Sequence, residues 1–231
     1  MDVPFIVHNG YKYIKKLGRG NYGQVVEVEK DGKRLAMKLI DCNSSSFSEI
    51  YFTKLFRHPN IISRIDFGFL DDKYVYFVMD LANNDLGKDI EKIDIKNIYY
   101  YTYCLANAVR YIHDGGFVHC DIKTNNILVF GNEIKLADLG IVKVDGIYNQ
   151  KDIPVCQTPN YRAPEQYTLT ERMIPAYNHL FYEKMEIDLI KGEYWSLGIV
   201  ILDMLYGVNG ITHFGNDNDD YRGYHYLLGI I

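Results

Sequence analysis

The stretch that most constrains this chain is Val118 to Val129, VHCDIKTNNILV. Its polar run, HCDIKTNN, sits between FV on one side and ILV on the other, a pattern that predicts a loop pinned at both ends by strand-like segments. Such a loop can carry Asp121, Lys123 and Asn126 at fixed positions, and loops anchored on rigid elements are where catalytic groups concentrate. A match this short also occurs as an ordinary polar turn, so its meaning depends on the sequence around it.

Upstream, residues 11–40 alternate in the manner of strands: YKYIKKL, then GRGNYG, then QVVEVEK, then Asp31-Gly32, then KRLAMKLI. Asp-Gly between two alternating runs is a strong hairpin signal, so this region reads as a three-stranded antiparallel meander. Gly18, Gly20 and Gly23 form G-x-G-x-x-G, with Val25 two residues beyond. Glycine is common enough that the spacing alone decides little. A strand follows Gly23, which excludes the dinucleotide fingerprint, because that motif must open a helix. A glycine-rich turn between antiparallel strands instead makes a flap whose backbone amides can close over phosphates. Lys38 lies among apolar strand residues on the same face as Ala36, where a lysine ordinarily snorkels to the surface. The run FSEIYFTKLFRHPNII reads as a helix carrying Glu49, with Ser46 or Ser48 as candidate caps and an end before Pro59.

Further along, Tyr74 to Leu81 reads as a strand. Residues Ile95 to His113 form a helix with Tyr103, Leu105, Ala108, Val109 and Ile112 on overlapping faces, closed by Gly115-Gly116, and the tyrosines near its start read as packing. After the polar loop come Asp138-Leu139-Gly140, the run TPNYRAPE ending in Ala163-Pro164-Glu165, and the apolar helix-like run EYWSLGIVIL.

In this order the motifs resemble those of the eukaryotic-type protein kinase family, from about Tyr11 to Gly207. The resemblance implies an α+β, two-lobed fold within a single domain over residues 1–231. A small antiparallel β-sheet lobe with one helix would run to about residue 81, and a larger, mainly helical lobe, abbreviated at its C-terminus, would follow from about residue 82. It implies ATP and Mg2+ (or Mn2+) as cofactors. Leu17, Gly18, Gly20, Gly23, Val25, Ala36, Met79, Asp80, Leu81 and Leu128 would surround the nucleotide. Lys38 would grip its α- and β-phosphates with Glu49 as partner, and Met79 would be the gatekeeper behind the adenine. Asp121 would accept or orient the proton of a substrate hydroxyl, and Lys123 would offset charge on the γ-phosphate. Asn126 and Asp138 would hold the metal. A lysine two residues beyond the aspartate follows the serine/threonine-kinase pattern, and Thr158 matches the threonine that bonds the catalytic aspartate and lysine.

Two departures stand inside the motifs. Cys120 replaces the arginine that normally follows the histidine and receives a phosphorylated activation loop, which implies activity without loop phosphorylation, a non-RD kinase. Glu193 stands where the family places an aspartate that caps the catalytic-loop backbone. Leu139 in place of phenylalanine is a common variant, expected to pack beneath the Glu49 helix. Between Glu165 and Glu193 the chain is much longer than the family's usual link, so residues 167–191 read as an insertion and as a surface for a protein partner. Arg222 is the candidate partner of Glu165. The abbreviated C-terminal end, with a Tyr-, Asn- and Ile-rich composition, is similar to the small kinases of large DNA viruses.

These features imply an ATP-dependent serine/threonine protein kinase acting on a protein substrate. Two other readings compete: a pseudokinase that binds nucleotide and acts as a scaffold or allosteric partner, and a kinase of small molecules, against which the TPNYRAPE segment argues. A formal charge of −5 argues against non-specific binding to nucleic acid or anionic membranes. Cys42, Cys104, Cys120 and Cys156 show neither C-x-x-C pairing nor zinc spacing and read as free thiols. No apolar targeting run follows Met1, and Leu197–Tyr206 is too short and polar to span a bilayer, so the expected setting is soluble and cytoplasmic, in a host cell or virion if the protein is viral.

Overall fold

The computed structural model describes residues 7–20, 23–42, 47–90, 93–149, 158–166 and 186–207. The alternating N-terminal region forms β1 (Val7–His8), β2 (Tyr11–Gly20), β3 (Gly23–Lys30) and β4 (Lys33–Asp41). The expected meander is present as β2, β3 and β4, and the two-residue β1 extends it. With β5 (Asp66–Leu70) and β6 (Tyr74–Asp80) these strands make one antiparallel sheet in the order β1-β2-β3-β4-β6-β5. Lys30 pairs with Lys33 across Asp31-Gly32, whose φ values of 52° and 75° give the mirror-image two-residue turn that matches strand twist.

Strand alternation sorts the sheet into two faces. Val26, Val28, Met37 and Leu39 build one core with Tyr11 and Val78. On the other face Ala36, Ile40, Phe77 and Met79 pack with Ile50 of α1 (Phe47–Leu55). Lys38 shares that second face, which aims it at α1. The helix ends four residues before Pro59, as the proline requires. Ser48 is not its cap: it lies inside the helix, and its hydroxyl donates to the Gly140 carbonyl at 2.7 Å. Ser46 lies outside the described residues.

The second lobe comprises β7 (Asn84–Asp85), α2 (Leu86–Asp89), α3 (Ile95–Asp114), β8 (Phe117–Val118), β9 (Ile127–Phe130), β10 (Glu133–Leu136), β11 (Lys143–Val144), β12 (Ile147–Asn149), β13 (Glu186–Asp188) and α4 (Leu189–Tyr206). Asp94 caps α3 by accepting from the Lys96 amide, and Gly116, at φ 78°, turns the chain out of it. The buried face of α3 runs through Ile98, Tyr101, Leu105, Ala108, Val109 and Ile112. Tyr103 is on the opposite side, 68% exposed, and Tyr99 and Tyr100 are exposed too, so of this cluster only Tyr101 packs in the core. A period of 3.6 puts residues 101, 105, 108 and 112 on one stripe and 99 and 103 off it.

Helix α4 buries residues on most of its circumference, including Glu193, Ser196 and Asp203. One core joins α3, α4 and the β9–β10 hairpin to Phe52 of α1 and to Phe56 just beyond it, so the α1 helix is tied into both lobes. Glu186–Asp188 and the first turn of α4 occupy the last six positions expected to be insertion; residues 167–185 and Arg222 lie outside the described residues. Cys42, Cys104 and Cys120 are not in disulfides, and Cys156 is outside the described residues. No described helix is long and apolar enough to cross a membrane.

Gly23 shows how closely the flap depends on its glycines. A Cβ at this position would stand 2.0 Å from the Leu39 carbonyl oxygen, a backbone atom of the neighbouring strand. Gly23→Ala is expected to push β3 from β4, lowering stability by about 1–3 kcal/mol and raising the KM for ATP. Thermal melting with and without nucleotide checks this, and an unchanged melting temperature would contradict it.

Candidate active site

The sheet and the helical lobe enclose a cleft of about 1080 Å³. Leu17, Gly18, Gly23, Val25, Ala36, Met79, Asp80, Leu81 and Leu128 all line it, as do Lys38, Asp121, Lys123, Asn126 and Asp138. Gly20 pairs with Gly23 at the open end of the flap. Glu49 stands behind Lys38. Apolar side chains from both lobes (Leu17, Val25, Ala36, Met79, Leu81 and Leu128) share the lining with the charged set of Lys38, Asp121, Lys123 and Asp138.

The Lys38 ammonium is 2.7 Å from the Glu49 carboxylate and 2.9 Å from Asp138 Oδ1. Burial works against the Lys38 charge, but the two carboxylates outweigh it and hold its pKa above that of an ordinary lysine. Burial also pushes Glu49 up to about 7, with Lys38 pulling in the opposite direction. Leu139, fully buried, packs in the core shared with Phe52 of α1. Asp138 itself has φ 62°, a left-handed conformation that a non-glycine residue adopts at a cost of order 1–3 kcal/mol when its surroundings impose it.

The polar loop forms a compact network on the floor. Asp121 Oδ2 accepts from Lys123 Nζ and from Asn126 Nδ2, both at 2.7 Å, while Oδ1 accepts from Thr158 Oγ1 at 3.0 Å and from its amide at 3.2 Å. Lys123 also donates to Thr158 Oγ1 at 2.7 Å. Burial works to raise the Asp121 pKa, and Lys123 above all overrides it, so the carboxyl ionises below its usual range. His119, fully buried, accepts the Asp121 amide at Nδ1, which leaves Nε2 to donate to the Ala137 carbonyl at 3.0 Å. The loop is thereby tied to the residue preceding Asp138.

Glu193 caps this loop from below. Its Oε1 accepts from the Cys120 amide at 2.8 Å, and its Oε2 meets His113 Nε2 at 2.6 Å. The extra methylene of glutamate therefore still reaches the loop, with a second partner at the end of α3. Cys120 has φ 68°, so the capped residue is the strained one immediately before Asp121. Nothing in the sequence flags His113, which lies 80 residues from Glu193.

A second buried set, also not foreseen from sequence, joins α4 to the loop: Tyr161 donates to Asp203 Oδ2 at 2.8 Å and meets Thr124 Oγ1 at 2.9 Å, and Ser196 Oγ donates to the Tyr161 carbonyl at 2.7 Å. Burial raises Asp203 to about 6, with the Tyr161 hydroxyl opposing, and burial also raises Tyr161. Because the folded Asp203 pKa exceeds the unfolded one, its contribution is full below about pH 4 and lost as pH rises through 6. Asp203→Asn is expected to remove this slope, of up to about 3 kcal/mol, from stability measured between those pH values. Denaturant titrations across that range check it, and an identical slope in the variant would refute it.

An apolar slot over a charged floor, roofed by a glycine flap and shared between a β-sheet lobe and a helical lobe, defines the α+β two-lobed class implied by the motifs. The chain belongs to the protein kinase family: the family model described as protein kinase domain matches residues 11–228. It is 30% identical to the ovarian-specific serine/threonine-protein kinase Lok of Drosophila melanogaster, over 90% of this chain and 45% of that protein. It is 28% identical to the cell cycle serine/threonine-protein kinase CDC5/MSD2 of Saccharomyces cerevisiae, over 83% of this chain and 27% of that protein. It is also 28% identical to the serine/threonine-protein kinase polo of Drosophila melanogaster, over 85% of this chain and 34% of that protein. The chain thus spans less than half the length of each of these relatives. ATP and Mg2+ are typical of the family.

Proposed function

We propose that this protein transfers the γ-phosphate of ATP to a serine or threonine hydroxyl of a protein substrate, without need of a phosphorylated activation loop. The observation that carries the reading is the convergence of Lys123, Asn126 and Thr158 on Asp121, with Lys38 bound to Glu49 and Asp138 across the same cleft.

The residues fit a nucleotide and its metal. Val25, Ala36, Met79 and Leu128 give a slot for a planar ring, and Lys38 offers a largely buried cation in the same cleft. Among the described residues no group of three or more His, Cys, Asp or Glu side chains could hold a metal. Magnesium suits such a site, since it takes one or two protein oxygens and completes its shell with phosphates and water. Asn126 and Asp138 would hold it, the first through its amide oxygen, because its nitrogen is committed to Asp121. When bound, the metal neutralises phosphate charge.

Asp121, kept ionised by Lys123, orients the substrate hydroxyl and takes its proton as the new oxygen–phosphorus bond forms and the bond to ADP breaks. Lys123 faces both Asp121 and the incoming phosphoryl charge. Thr158 holds the pair and brings the TPNYRAPE segment against them, where a peptide hydroxyl must arrive. Phosphoryl transfer asks mainly for such positioning and charge compensation.

The test is radiolabelled ATP with magnesium and casein or myelin basic protein, followed by phosphoamino-acid analysis, run with untreated kinase and with kinase dephosphorylated beforehand and then freed of phosphatase. Label on serine or threonine from both preparations supports the reading. Nucleotide binding without transfer would show a scaffold instead, and label on tyrosine alone would overturn the residue specificity.

A further inference from the structure

The position vacated by arginine is filled by packing. Cys120 is fully buried in an apolar cluster with Val118 of β8, Ile141 after the Asp138 turn, Tyr148 of β12, Ile187 of β13 and Leu189 of α4. Three parts of the chain distant in sequence meet there: the catalytic loop, the activation segment and the entry to α4. Backbone ladders reinforce the junction. Lys143 and Val144 pair with Val118 and Phe117, and Tyr148 pairs with Ile187 between the Ile147–Asp188 and Asn149–Glu186 pairs. The Tyr148 hydroxyl closes back on the Val144 carbonyl at 2.8 Å.

A charged receptor at this place would need an anion to offset it, since a buried unpaired cation is costly. Apolar packing needs no added charge. We propose that Tyr148 and Ile187, closing over Cys120, are positioning residues: this clamp fixes the first half of the activation segment on the catalytic loop and sets Asp121 for transfer in place of a phosphate. The inference rests on the kinase reading above.

The strain at Cys120 explains why a clamp is needed here. Its left-handed backbone sits between the Glu193 cap and Asp121 and persists only while the surroundings impose it. The cluster supplies that constraint on the side facing the activation segment.

Steady-state kinetics on the full chain test the proposal, with every sample phosphatase-treated. Tyr148→Ala and Ile187→Ala are each expected to lower kcat about tenfold or more with the KM for ATP within about twofold, because the nucleotide slot lies elsewhere. Tyr148→Phe is expected to keep the wild-type kcat, since the ring fills the cluster. Cys120→Arg is expected to lose at least as much kcat as Tyr148→Ala. A purely structural role would lower the melting temperature and leave the kcat of the folded fraction intact, and that result overturns the proposal. So does an active wild type that phosphatase silences. A wild type that binds ATP but labels no protein overturns the kinase reading and this one with it, whereas an active wild type matched by Tyr148→Ala overturns this one alone.

Discussion

Asp121→Asn is expected to lower kcat by about 10²–10⁴-fold, the usual worth of a positioned acid–base group, while the KM for ATP stays within about threefold. Asparagine has nearly the shape of aspartate, so the loss isolates chemistry from packing. At this site the loss is compounded. Asp121 Oδ2 accepts from Lys123 and Asn126, and Oδ1 accepts twice from Thr158. An amide nitrogen in either place faces two donors with a donor, so the side chain must turn away or the loop must open. The variant removes the proton acceptor and also releases Lys123 and Thr158 from their common anchor. Saturation kinetics in both substrates, with melting curves to confirm folding, measure this. A kcat within a few-fold of the wild type would show that another group takes the proton.

How much of this was legible in the sequence depends on how local each interaction is. Lys38 and Glu49 are 11 residues apart, on a strand and a helix whose patterns are both readable, and they meet in the structure. The loop of Asp121, Lys123 and Asn126 is a single segment, so its spacing already contains its geometry. Strands β7, β8, β11 and β12, of two or three residues each, carry too little alternation to be seen, and they form only because a partner strand reaches them. β13 lies at the end of a stretch that reads as insertion because length alone was visible there. Tyr103 reads as part of the packed face of α3 but is exposed, because a tyrosine suits a core and a surface equally well. His113 remained hidden for a different reason: it acts through Glu193, and one histidine at a helix end has no pattern.

That pair carries the second large effect. Glu193→Ala would leave the Cys120 amide and His113 Nε2 without their acceptor, both in fully or nearly fully buried positions. An unsatisfied buried polar group costs about 1–3 kcal/mol, so two cost about 2–6 kcal/mol, before the cavity is counted. For a chain of this length, that corresponds to a fall in melting temperature of roughly 5–20 °C. Glu193→Asp separates the two bonds. Aspartate is shorter by one methylene and is expected to keep only one partner, with about half the loss of stability. If it keeps the Cys120 amide, kcat is retained and His113 loses its acceptor. If it keeps His113, the strained residue before Asp121 is released and kcat falls together with stability. Parallel melting and kcat measurements on Glu193→Ala, Glu193→Asp and His113→Ala tell these cases apart. An alanine variant that melts with the wild type would show that water or another donor set replaces the carboxylate, and that the cap is dispensable.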